Sequence, residues 1–247
     1  MNKRGQLAVF VFIAIVIFLI ILVYFLPSRN IKTDSDRDVE LIHSYIGSCV
    51  DYTLENAIFV VSLQGGYDYP PELSKDYLYL NIPYYWHGEK SHIPSIEDIE
   101  GELSSFIDSS FPNCIENLKG LEELGYNVEF GSISSEVEIL DDRVIAEVYY
   151  PVTIKKGSDS FSLESFSSEI YSDLGRAYKF SEMIVEEQKK TPNEMPLGFI
   201  TKLSHENNFS FEVIYDEEQS DVVYVLMFEK GDSDYFIYPF VFSYQWK

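Results

Sequence analysis

His87, Glu89, His92 and Glu97 lie within eleven residues and carry the nitrogen and oxygen donors that zinc accepts. Their spacing fits no helical H-E-x-x-H site, in which two histidines one turn apart share a face, and an exposed loop is the better account of them. Asp34, Asp36 and Asp38 alternate like the opening ligands of a calcium loop. Val39 stands where that loop needs glycine for its sharp turn, and Tyr45 where it needs a bidentate glutamate. Beside the histidines runs Pro83-Tyr84-Tyr85-Trp86-His87-Gly88. Tyr84, Tyr85, Trp86 and His87 are candidate ligand contacts, since such rings stack on sugars; the same rings also serve to pack a hairpin on a core. The chain has no Gly-rich phosphate loop, G-x-S-x-G elbow or kinase-like set. The sequence therefore nominates no catalytic residue, no cofactor and no metal.

Cys49 and Cys114 are the only cysteines and belong to no C-x-x-C motif. A disulfide is the expectation outside the cytoplasm, and two separate buried thiols are the alternative. Asn208-Phe209-Ser210 is an N-glycosylation sequon, which makes Asn208 a candidate acceptor in an extracytoplasmic setting.

These residues are placed by a chain of two unlike parts. Residues 7–26 read LAVFVFIAIVIFLIILVYFL, twenty apolar or aromatic residues without a charge. At a helical rise of about 1.5 Å per residue, such a run spans a bilayer core of about 30 Å. A soluble helix would need a polar face, and this run has none. It exceeds the apolar core of an ordinary secretory signal, and no small-x-small cleavage site follows it. The expectation is a single-pass membrane protein held in the lipid bilayer through residues 7–26.

Lys3-Arg4-Gly5-Gln6 leads directly into this run. The arrangement resembles the class III signal of archaeal type IV pilin-like proteins. The resemblance implies cleavage between Gly5 and Gln6 by a prepilin-type peptidase, an extracellular domain, and like subunits as partners. Phe10 stands where many pilins carry a glutamate. The remainder resembles uncharacterised membrane-anchored proteins of small-genome archaea, and no activity comes with that likeness.

All 41 acidic residues lie after residue 33, against 14 of the 18 basic ones, so the part beyond the anchor carries a formal charge of −27. That field repels nucleic acid and anionic headgroups, so no nucleic acid is expected as a partner. Residues 27–38 read as a polar linker and 39–125 as a helix-rich lobe. Apolar residues recur at three and four from Val39 to Val61, and Gly65-Gly66 supplies the stop. Short strand-like pieces are expected around Tyr77–Leu80 and Tyr84–Trp86. Ser95-Ile96-Glu97-Asp98 predicts a helix start, with helix to about 109 and a further helical stretch from Pro112. Residues 126–247 predict an antiparallel sheet with helices: strands over 128–139, 144–154, to 171, 209–215, 222–229 and 235–244, with helices over 173–190 and 196–204. The fold class is α+β, mainly antiparallel. The function expected is that of an acidic extracytoplasmic surface protein in adhesion, envelope structure or a pilin-like assembly. The alternative is a tethered envelope enzyme or carbohydrate-binding module using residues 77–97.

Overall fold

The computed structural model describes residues 15–18, 21, 34–116, 118, 120, 122, 125–218, 220–231 and 234–244, with the side chains of 34–38 and Asp159 excepted. The chain divides into two units, Met1–Leu41 and Ile42–Lys247. In the first, Ile15, Val16, Ile17, Phe18 and Ile21 are helical, and each is 39–63% exposed. The rest of the apolar run 7–26, the linker to residue 33, and Gly5 and Gln6 lie outside the described residues.

Helix α1 spans Asp34–Leu63, so the last five residues of the expected linker are already helical. This also removes the loop that calcium ligation by Asp34, Asp36 and Asp38 would need. Residues Val39–Leu63 are long and apolar enough to cross a membrane, yet half of the apolar window is buried inside the fold. Ile42, Ile46, Cys49, Val50, Leu54, Ala57, Ile58 and Val61 form that buried face. The helix ends at Gly65 (φ 56°), where a β-carbon would meet the Pro239 carbonyl oxygen at 2.7 Å, so this turn requires glycine.

Helix α2 (Ile96–Ile115) opens with a capping box: the Asp98 amide donates to Ser95 Oγ, and the Ser95 amide donates to Asp98 Oδ2. It is one helix, not two pieces broken before Pro112. Ile99, Leu103, Ile107, Phe111 and Ile115 continue one buried stripe at a spacing of four, and their burial outweighs the backbone bond that proline forfeits. Two further helices follow, α3 (Leu174–Lys190) and α4 (Leu197–Asn207).

The larger sheet contains β1 (Ser74–Tyr77), β2 (Leu80–His87), β3 (Lys90–Ser91), β8 (Ser210–Asp216), β9 (Asp221–Gly231) and β10 (Asp234–Ser243). Its order is β1-β2-β10-β9-β8, with β3 on β2. All its pairings are antiparallel except β2 with β10. The second sheet holds β4 (Asn127–Phe130), β5 (Ser134–Ile139), β6 (Arg143–Lys156) and β7 (Asp159–Tyr171), all antiparallel on β6.

Two strand expectations need correction. The run 128–139 is broken at Gly131: both pieces pair with β6, and the break faces Pro151, which has no N–H for the ladder. Residues 77–80 are not a strand but a hairpin corner. Leu78 (φ 47°) and Tyr79 (φ 69°) form its tip between the paired Tyr77 and Leu80.

Residues of the helix-rich stretch and of the sheet stretch share one hydrophobic core. Helix α1 meets β7, where Ser168 Oγ donates to Asp51 at 2.6 Å. Helix α2 covers the edge strand β5: the Ile139 amide donates to Glu100 at 2.9 Å, and Ser135 Oγ donates to Asp108 at 2.8 Å. Helix α3 lies on β9 through Phe180 and Phe228.

Candidate functional site

The aromatic segment chosen from the sequence is divided between the core and the surface. β-strand alternation sends Tyr85 into the core, fully buried and stacked 5.1 Å from Phe240, so it is not a ligand contact. Its phenol donates to the Gly65 carbonyl and lies 2.6 Å from the Tyr238 hydroxyl. Trp86 stacks on Phe242, with the Lys189 ammonium 5.3 Å from its ring. Tyr84 donates to Asp221 at 2.5 Å, and burial together with that carboxylate pushes its phenol well above the ordinary value. Asp221 also pairs with the buried Lys75 ammonium at 3.3 Å, and Asp216 does so at 2.7 Å. This cluster pins the β1–β2 hairpin to the β8–β9 turn. Burying a lysine is tolerable because two carboxylates face it. His87 is exposed, 5.0 Å edge-on from Tyr84.

Glu89 and His92 are exposed around β3, and Glu97 is in the first turn of α2. Among the described residues, no three His, Cys, Asp or Glu side chains are grouped to hold a metal. Cys49 and Cys114 are bonded, with Cα atoms 5.8 Å apart across 65 residues of sequence. Tyr45 on the same helix as Cys49 donates to the Cys114 carbonyl at 2.8 Å, a second tie between α1 and α2. Asn208 is exposed at the left-handed end of α4 (φ 53°), with Phe209 buried behind it.

A cavity of about 340 Å³ forms a depression on the outer face of β5, β6 and β7. Glu136 and Glu147 oppose each other across the β5–β6 ladder there, a like-charge pair that costs stability and has no cation beside it in the lining. A smaller groove of about 240 Å³ holds more varied chemistry. The carboxyl-terminal half of α1 contributes Glu55, Asn56 and Phe59; the end of β7 contributes Ile170 and Tyr171; the β9–β10 hairpin contributes Lys230, Asp234, Tyr235 and Ile237. Phe59, Tyr171 and Tyr235 are 62%, 72% and 47% exposed, so three large rings converge on water in one concavity.

Local structure holds these groups in place. The Arg143 guanidinium lies 5.1 Å from the centre of the Tyr171 ring. Arg143 is itself bound by Asp142, at 2.9 Å from both Nε and Nη2, and by Glu169. The same guanidinium holds the Asp142 carboxyl below the usual carboxylate range. Asp234 accepts from the Tyr235 amide at 3.0 Å, and Lys230 lies 5.8 Å from the Phe236 ring.

Sequence reasoning missed this groove because its rings, at 59, 171 and 235, are far apart in the chain. A weak sign was present: Phe59 falls outside the buried phase of α1, which passes through Ala57, Ile58 and Val61. No family model, no curated protein and no solved structure matches this chain.

Proposed function

We propose that the chain is a membrane-tethered surface protein whose acidic domain lies outside the cytoplasm and acts by binding or assembly rather than by catalysis. The observation that carries this reading is the exposed apolar helix of Ile15–Phe18 and Ile21, inside a twenty-residue run without a charge. Five apolar side chains left in water would be costly, and lipid removes that cost. The Cys49–Cys114 bond supports the same compartment, because disulfides persist where the surroundings are oxidising. Under this reading the Lys3-Arg4-Gly5-Gln6 signal is cut by a prepilin-type peptidase, and the freed helix is available to pack with like subunits.

The test is fractionation of cells producing the full chain. Membranes washed with alkaline carbonate should retain it, and protease added to intact cells should remove the domain. Recovery in the soluble fraction overturns the tether, and protection in intact cells overturns the sidedness. A native mass beginning at Gln6 supports processing, whereas one that keeps residues 1–5 removes the pilin-like part of the reading.

A further inference from the structure

We propose that the groove between α1, the end of β7 and the β9–β10 hairpin binds a neutral sugar ring. Its three rings come from three different elements, Phe59 from α1, Tyr171 from β7 and Tyr235 from β10. Exposing all three in one concavity exceeds what scattered surface residues do, and such a cluster marks an interaction site. The π-face of an aromatic ring is electron-rich and matches the C–H face of a pyranose.

The polar groups decide between ligand classes. Glu55 and Asp234 accept hydrogen bonds, Lys230 donates them, and Asn56 does both. A hydroxyl-rich ligand needs this mixture, because each hydroxyl donates once and accepts twice. A purely apolar partner would strand both carboxylates and the ammonium without water. Two carboxylates against one ammonium disfavour a phosphate or an acidic sugar. The Lys230 ammonium, beside Phe236, disfavours a quaternary ammonium in an aromatic cage.

Pre-arrangement favours binding as well. Arg143 lies against Tyr171 and is clamped by Asp142 and Glu169, so the ring is ordered before any ligand arrives. The volume of about 240 Å³ suits one sugar ring rather than a long chain, and so small a contact implies weak binding at each site. The inference does not rest on the membrane tether and survives its failure.

The experiment is saturation-transfer NMR on the full chain in nanodiscs of zwitterionic lipid. The probes are glucose, galactose, mannose and N-acetylglucosamine. At least one should receive saturation at its ring C–H protons, with a dissociation constant of order millimolar. Tyr171→Ala and Tyr235→Ala should each weaken it about tenfold. Asp234→Asn should weaken it without removing a ring, and Tyr149→Ala, at an exposed tyrosine outside the groove, should leave it unchanged. The proposal is overturned if none of the four sugars transfers saturation at about 50 mM, or if transfer persists undiminished in both tyrosine variants. Tetramethylammonium bound through Tyr171, with no sugar bound, overturns it in favour of a cation cage.

Discussion

Tyr85 and Tyr238 share a hydrogen bond of 2.6 Å between their hydroxyls, both rings fully buried, and the Tyr85 hydroxyl donates its hydrogen bond to the Gly65 carbonyl at 3.0 Å. Tyr238 is therefore the donor within the pair. Tyr85→Phe strands both the Tyr238 hydroxyl and the Gly65 carbonyl, whereas Tyr238→Phe leaves the bond to Gly65 intact. Urea unfolding should show Tyr85→Phe costing about 1–3 kcal/mol and Tyr238→Phe less. Equal costs, or the reverse order, would refute this chain of donors.

The Cys49–Cys114 bond closes a loop of 65 residues. On the chain-entropy account such a closure contributes about 4 kcal/mol. Thermal unfolding with and without reductant should differ accordingly, and alkylation of the unreduced protein should modify neither cysteine. Two alkylated thiols would contradict the bond.

Gly175 sits in the first turn of α3 against the Leu140 carbonyl, and a β-carbon there would collide with that backbone. Helix propensity alone would have Gly175→Ala stabilise by up to about 1 kcal/mol. The collision reverses the sign, so a lowered melting temperature is expected. A raised one would show that α3 and the β5–β6 turn separate easily.

The Leu78–Tyr79 tip holds two non-glycine residues at positive φ, and both side chains are exposed, 72% for Leu78. The double change Leu78→Asn with Tyr79→Gly supplies the residues this turn favours. It should stabilise the protein by about 1–2 kcal/mol in denaturant unfolding. No gain would mean that the turn relaxes at no cost.

Asp68 has its pKa raised by burial and then by Glu102. Its folded value lies above its unfolded one, so the folded state binds the proton more tightly. Ionised Asp68 therefore opposes folding at neutral pH, and the penalty fades as pH falls through the folded pKa. Asp68→Asn should stabilise at pH 7 by less than about 1 kcal/mol, because the group is only partly buried and solvent screens it. The gain should shrink as the medium is acidified. A gain that grows on acidification would show the opposite sign of coupling.

What the sequence determined by itself was local. The capping box at Ser95 and Asp98, the stop at Gly65, the buried phase of α1 and the period-two strands all follow from neighbours along the chain. Their geometry is set by backbone periodicity and by groups only a few residues away. Tertiary structure alone decided the rest. Residues Tyr84 and Tyr85 are adjacent, yet one joins an ion cluster and the other enters the core, because the register of β2 against β10 assigns their faces. Pro112 continues a helix because Phe111 and Ile115 have a core to enter. Pro151 interrupts a ladder that its own strand pattern does not reveal. Phe59, Tyr171 and Tyr235 became a groove only when α1, β7 and β10 packed together. Residues so far apart in the chain leave no spacing to read, since their proximity is fixed by burial shared across the whole core.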